Sequence, residues 1–275
     1  MILRFLASIF KYPVRLFLPC KVYGNAKREK KACLYLGNHV SGYDCVMFYL
    51  WTNGPMPCYL HKAELSKIFP LPIIFHSFRC IPVKRGDADI TSVKILLKRL
   101  SKGHNIFITP EGHRNTAHNC LLPFKKGAAL YALKSKAPIR LFYIWEKTKT
   151  FRKNHMIIGD EFTLDQFYDK PITKNLLQEV TDYLQAKVDE LRLQLNAIMV
   201  AKGKNHRKYT KKEIKRIYAE YGDKAEEVIA NTFVLDVPVQ ADGVVEQDCG
   251  ATPQVEPVSQ EVATDIATAE QQTTD

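Results

Sequence analysis

An α/β domain with a mostly parallel central sheet flanked by helices is predicted by three features of the 275-residue chain. Short apolar runs alternate with amphipathic stretches at helical spacing, the pattern of strand–helix–strand units. Two of the apolar runs end in turn-forming residues, at Gly37-Asn38 and at Pro110-Glu111-Gly112, and the carboxyl ends of parallel strands are where such sheets bind ligands. Composition is ordinary for a globular chain, 46% hydrophobic and 25% charged. That excludes a wholly disordered, collagen-like or disulfide-scaffold protein.

The elements follow in order. Residues 1–19 (MILRFLASIFKYPVRLFLP) are apolar and aromatic, but Arg4, Lys11 and Arg15 interrupt them and Pro13 breaks a continuous helix. They are too short for a span of roughly 20 apolar residues, and they lack the unbroken core of a signal peptide. They read as an amphipathic segment lying on a membrane surface with its basic side chains towards anionic lipid; the alternative is a helix packed on the domain's own core. Lys31 to Leu36 reads as a buried strand, and Asp44 to Trp51 as the apolar helix after it. Ser66 to Phe75 is rich in Pro and apolar residues, and Cys80 to Val83 is a short strand. Ile90, Val93, Leu96, Leu97 and Leu100 recur at helical spacing within 87–100, Asn105 to Thr109 is a strand, Gly127 to Lys136 a helix and Ile139 to Trp145 a strand. Over 174–200, Leu177, Val180, Leu184, Val188, Leu191, Leu195 and Ile198 line one face of a long helix, which closes the domain or, alternatively, offers a coiled-coil face. Residues 201–230 form a basic helical extension. Residues 231–275 are polar, acidic and Pro-containing, too poor in apolar side chains to offset the entropy of ordering, and read as a disordered tail.

Charge is divided along the chain. All 40 Lys+Arg and 18 of the 29 Asp+Glu lie in residues 1–224, a net +22, whereas 225–275 hold 11 acids and no base. A body this basic expects anionic company: nucleic acid, an anionic membrane or phosphorylated substrates. Seven cysteines are scattered without a Cys-x-x-Cys pair, which suits reduced thiols better than a disulfide framework or a zinc site.

Chemistry concentrates at two strand ends. His39 is followed five residues later by Asp44 at the start of a helix. The carboxylate can meet the imidazole across one turn, fix its tautomer and stabilise the imidazolium formed when the other nitrogen takes a proton. No protein nucleophile is required, because the base can act on a substrate hydroxyl directly. At the second end, Pro110-Glu111-Gly112-His113-Arg114 places a carboxylate, a backbone amide without a neighbouring Cβ and a guanidinium in one loop, with Lys125 and Lys126 following. A third cluster, Arg79 to Gly86 (RCIPVKRG), adds Lys84 and Arg85 past a strand. The remaining histidines, His61, His76, His104, His118, His155 and His206, receive no role, and most of them are placed on the surface or in loops.

These pieces resemble the glycerolipid acyltransferase family, the 1-acylglycerol-3-phosphate O-acyltransferases and their relatives. Asn38 to Asp44 (NHVSGYD) is similar to the family's NHxSxxD block and Ile106 to Asn115 (IFITPEGHRN) to its FPEGTRS block; Arg79 to Arg85 resembles the intervening block that ends in Arg, and Phe124 to Ala128 the FKKGA stretch. Val22 to Asn25 and Ile157 to Asp160 resemble flanking segments, so the likeness covers roughly residues 1–200. The resemblance implies a single acyltransferase domain over 20–200. By the same resemblance His39 is the general base and Asp44 its partner. Arg85, Glu111, Gly112, His113 and Arg114 bind the acceptor's phosphate, with Asn38, Ser41, Lys125 and Lys126 in support. Departures are His113 where Thr is usual, Lys84 where Asp is common, and Ala137 to Leu141 keeping only the first proline of the Pro-rich fourth block.

The implied reaction moves a fatty-acyl group from an acyl thioester, acyl-CoA or acyl-carrier protein, to the hydroxyl of a lysophospholipid, 1-acyl-glycerol-3-phosphate giving phosphatidate. A different lipid acceptor within the family is the alternative. No bound cofactor and no metal are expected. Localisation is expected at the cytoplasmic face of a membrane, peripherally, with an anionic lipid surface as partner. Two readings from other classes are weaker. A basic nucleic-acid-binding protein lacks any recognised nucleic-acid signature, and a metallo-hydrolase using His39, Asp44, Glu111 and His113 lacks a His-Glu-x-x-His helix or a dense carboxylate cluster.

Overall fold

The computed structural model describes residues 2–26, 31–52, 54–84, 90–115 and 121–202, together with Lys215, Tyr218, Ala219 and Gly222. The acidic tail and nearly all of the basic extension therefore lie outside the described residues, as do Arg85, Cys120, His118 and His206. Among these residues the strands are β1 (Cys20–Gly24), β2 (Leu34–Gly37), β3 (Cys58–Lys62), β4 (Ile81–Val83), β5 (Ile106–Ile108), β6 (Ile139–Ile144) and β7 (Asn154–Phe162). The helices are α1 (Ile2–Ile9), α2 (Lys11–Phe17), α3 (Asp44–Trp51), α4 (Leu71–Ser77), α5 (Ile90–Ser101), α6 (Gly127–Ser135) and α7 (Lys174–Ala201).

The strands form one sheet in the order β1-β7-β6-β2-β5-β3-β4. All neighbours run parallel except β6 and β7, which are antiparallel. The central strands are buried on both faces, which is why β2 and β6 read as continuous apolar runs rather than alternating ones. Side-chain alternation sorts these residues into two layers. Leu34, Leu36, Ile106, Ile108, Ile139, Leu141 and Ile157 pack with α5, α6 and α7, whereas Tyr35, Phe107, Phe142, Ile144, Met156 and Ile158 pack with Met47 and Phe48 of α3. On the α3 side, Phe48 sits 4.7 Å from Tyr35 and 5.1 Å from both Phe107 and Phe142, ring centroid to centroid. Truncating such a ring to Ala typically costs ~3–5 kcal/mol, so this knot fixes α3, and with it Asp44, against the sheet.

Helix α7 starts where Thr173 caps it, the hydroxyl accepting the Leu176 N–H at 3.1 Å. Leu176, Val180, Leu184, Val188, Leu191, Leu195 and Met199 are buried in the domain's own core. That leaves the coiled-coil alternative without an apolar face.

The amino-terminal segment differs from expectation in two ways. It bends at Phe10, between α1 and α2, rather than at Pro13. Pro13 lies in the first turn of α2, where a missing N–H leaves no intrahelical bond unmade. Two of its three cations also turn inward: Lys11 Nζ donates to the Thr52 carbonyl at 2.8 Å, and Arg15 Nε to the Leu50 carbonyl at 2.7 Å while its guanidinium lies over Trp51. Helix α2 is thus docked on α3, and Leu6, Ile9, Phe10, Tyr12, Leu16 and Phe17 remain exposed. No described helix is long and apolar enough to cross a membrane.

His155, one of the histidines mostly expected in loops or on the surface, is buried in β7, with Nδ1 3.1 Å from the Tyr23 hydroxyl of the neighbouring strand. Burial pushes the Cys20, Cys33 and Cys45 thiols up to about 12.

Candidate active site

Strand β2 ends at Gly37, where a Cβ would stand 2.2 Å from the Phe142 carbonyl oxygen of β6; only glycine allows the two strands this approach. The next residue, Asn38, is buried and pairs with one backbone residue twice. Its Nδ2 donates to the Ile144 carbonyl and its Oδ1 accepts the Ile144 N–H, both at 2.8 Å. Asn38 thereby anchors the loop carrying His39 to the end of β6.

His39 and Asp44 meet as the five-residue spacing requires. His39 Nδ1 is 2.9 Å from Asp44 Oδ2. The same oxygen accepts the Val40 N–H at 2.7 Å and the Ser41 N–H at 2.8 Å, and Asp44 is 1% exposed. Ser41 contributes a small turn of its own, its hydroxyl accepting the Tyr43 N–H at 3.2 Å. Two backbone N–H donors fix Asp44 Oδ2 as an acceptor facing Nδ1, an arrangement that favours the neutral tautomer with its proton on Nδ1 and its lone pair on Nε2. Among the described residues no hydrogen bond engages Nε2, and the His39 side chain keeps 26% of its surface open. Asp44 also occupies the first turn of α3, where a negative charge is favoured by the helix dipole.

Thr148, in the loop between β6 and β7, completes the carboxylate shell by donating its hydroxyl to Asp44 Oδ1 at 3.0 Å. It lies 104 residues from Asp44, and nothing in its local sequence marks it.

The second block folds against the first. Glu111 is 0% exposed; its Oε1 accepts the His39 backbone N–H at 2.9 Å and its Oε2 the Leu122 N–H at 3.3 Å. The Asn115 N–H donates to the His39 carbonyl at 2.6 Å. His39 is thus held on both of its main-chain polar groups by one loop. Burial pushes the Glu111 carboxyl up to about 7, against its hydrogen bonds with His39, Leu122 and Asn115. The Glu111 carboxylate is turned inward onto backbone amides, away from the exposed cations of its loop.

Gly112 adopts φ +73°, and a Cβ there would lie 2.7 Å from Lys125 Cε. The aliphatic stem of Lys125 therefore lies over the glycine, and its N–H donates to the Pro110 carbonyl at 2.9 Å. His113, Arg114, Lys125 and Lys126 are exposed, as is Lys84 beside the undescribed Arg85. Arg140, from the weakened fourth block, is buried in β6 with Nε on the Gly159 carbonyl at 3.2 Å and Nη2 on the Asn25 carbonyl, holding β1 and β7 rather than a ligand. No group of three or more His, Cys, Asp or Glu among the described residues could hold a metal ion.

The chain is similar to known acyltransferases. A family model described as Acyltransferase matches residues 19–145, a range that includes both blocks and the lysines after them. The chain is 28% identical over 145 residues to a 1-acyl-sn-glycerol-3-phosphate acyltransferase of Bacillus subtilis (strain 168), across 51% of this chain and 71% of that protein. Its fold is similar to the crystal structure of the 1-acyl-sn-glycerophosphate (LPA) acyltransferase, PlsC, from Thermotoga maritima, with a TM-score of 0.51 at 20% identity over 68% of this chain and 78% of that one. Over residues 19–145 the chain is thus similar to acyltransferases, the glycerolipid acyltransferases among them, and the comparisons support an O-acyltransferase.

Proposed function

We propose that the chain transfers a fatty-acyl group from an acyl thioester, acyl-CoA or acyl-carrier protein, to the free hydroxyl of 1-acyl-glycerol-3-phosphate, giving phosphatidate. The observation that carries this reading is Nδ1 of His39, 2.9 Å from a carboxylate oxygen that two backbone donors also hold. Nε2 removes the hydroxyl proton as the oxygen attacks the thioester carbonyl carbon. The carbon–sulfur bond then breaks, and the imidazolium returns its proton to the departing thiolate. A positioned base of this kind contributes about 10²–10⁴-fold. Glu111 and Asn115 hold the His39 backbone so that Nε2 keeps its place relative to the acceptor.

Arg114, His113, Lys125, Lys126 and Arg85 supply the positive charge for the acceptor's phosphate, and Gly112 lets the backbone approach it. Arg suits phosphate because its donors form a planar fork. The enzyme acts at the cytoplasmic face of a membrane as a peripheral protein, held by the exposed apolar side chains of α1 and α2. The test is a product assay: purified protein receives a panel of lysolipids, with and without phosphate, and both donor types, and products are read by mass spectrometry. Phosphatidate formation that depends on His39 is the expected result. Acylation of a different lysolipid in preference to 1-acyl-glycerol-3-phosphate would overturn the acceptor assignment.

A further inference from the structure

Between β3 and β4 the chain forms a 3-10 turn, Ala63–Lys67, and then α4; neither buries a single residue. Yet Ile68 to Phe75 reads IFPLPIIF, without a charge. Phe69 is 82% exposed, and Leu65, Ile68, Ile73 and Ile74 are exposed with it. A soluble surface scatters its large apolar side chains singly, whereas a contiguous patch marks an interaction site. Helix α4 touches α1, whose Leu6 and Ile9 are also exposed. The apolar surface therefore continues from the amino-terminal segment onto a second part of the chain far away in sequence.

We infer that Ile68–Ile74 is a second membrane-inserting element, and that its occupant is an anionic phospholipid bilayer. Two observations choose that occupant. The exposed Lys62 and Lys67 flank the segment, and residues 1–224 carry a net +22, so an anionic surface attracts this face while a second copy of the chain is repelled. The acceptor of a glycerolipid acyltransferase resides in a bilayer, and the element follows β3, the strand that meets the first turn of α3. The Tyr59 hydroxyl of β3 donates to the carbonyl of Cys45 at 2.8 Å, and Cys45 follows Asp44. Insertion here brings the first turn of α3 to the lipid headgroups, so that an acceptor need not leave the membrane to reach His39. The inference rests on the proposed membrane attachment and adds to it a second, independent contact.

The experiment measures co-sedimentation of the full chain with vesicles of equal phosphatidylglycerol and phosphatidylcholine, in low salt and in about 1 M salt, where charges are screened beyond about 3 Å. The variants are Phe69→Glu with Ile73→Glu, Phe69→Leu, and Leu6→Glu with Ile9→Glu. The parent is expected to keep a salt-resistant bound share; the Phe69/Ile73 variant loses affinity at high salt by tenfold or more, and Phe69→Leu retains it. Unchanged unfolding midpoints are expected because the altered side chains are exposed. Binding of the Phe69/Ile73 variant equal to the parent's, with the Leu6/Ile9 variant impaired, would overturn this inference alone. Failure of the parent to bind at either salt would overturn the membrane reading and this one together. A parent that self-associates, and a Phe69/Ile73 variant that is monomeric but binds vesicles normally, would overturn it in favour of a second copy.

Discussion

The Glu111 carboxylate accepts the His39 backbone N–H at 2.9 Å, joining two sequence blocks 72 residues apart. The bond makes the second block part of the first block's rigidity. An imidazole whose ring is oriented by Asp44 and whose backbone is held by Glu111 has few ways left to misplace Nε2.

His39→Ala should lower acyl transfer by about 10²–10⁴-fold with the fold intact, because it removes the proposed base. Asp44→Asn should fall in the same range, since it frees the tautomer. Single-turnover acylation with saturating acceptor measures both. Near-normal turnover in His39→Ala would refute the mechanism.

Glu111 gives a pH signature. Its folded carboxyl titrates near 7 rather than at the usual 4.5, so between these values the folded chain holds a proton that the unfolded chain has released. The stability this group contributes is complete below about 4.5 and is lost as pH rises to about 7. Glu111→Gln cannot titrate, and the stability of the parent minus that of the variant should therefore decline from pH 5 to pH 8 in urea unfolding. A difference independent of pH would place the carboxyl's titration elsewhere.

Thr148→Val removes the donor to Asp44 Oδ1 while keeping the side chain's shape. A hydrogen bond to a charged group contributes about 1.5–3 kcal/mol, so kcat should drop by about tenfold or more with KM little changed, and Thr148→Ser should restore it. Equal loss in the Ser variant would point to packing by the methyl group.

Arg114→Ala should weaken kcat/KM about tenfold to a hundredfold for acceptors bearing phosphate, as removal of a charge-assisted contact does. The same assay with an acceptor lacking phosphate should show a much smaller loss. Equal losses would assign Arg114 to the donor.

Gly112→Ala meets two penalties: a left-handed backbone at φ +73° and a Cβ 2.7 Å from Lys125 Cε. Together these should destabilise the chain by about 2–4 kcal/mol, measured by urea unfolding. Lys125→Ala in the same chain should relieve the steric part.

What the sequence determined by itself is what spacing encodes. The apolar runs and helical periodicities predict β2, α3, β4, α5, β5, α6, β6 and α7 near their observed positions. The five residues from His39 to Asp44 run from a strand end to a helix start, a spacing that lets the carboxylate reach the imidazole across one turn. The parallel character of the sheet followed from the alternation of strands and helices.

The tertiary structure decided the rest. Strand β7 pairs antiparallel with β6 on one edge and parallel with β1 on the other, and no local periodicity specifies which distant strands will be neighbours. That strand order places the β6–β7 loop over Asp44, which is how Thr148 enters the site. The inward turn of Glu111 has the same origin, for a Pro-Glu-Gly loop reads identically whether its carboxylate faces solvent or backbone. So do Lys11 and Arg15, cations that the sequence assigns to lipid and the fold gives to the carbonyls of Thr52 and Leu50. A charged side chain's partner depends on which unmatched donor or acceptor lies within its reach, and for the carbonyls at the carboxyl end of α3 that becomes known only once the chain has packed.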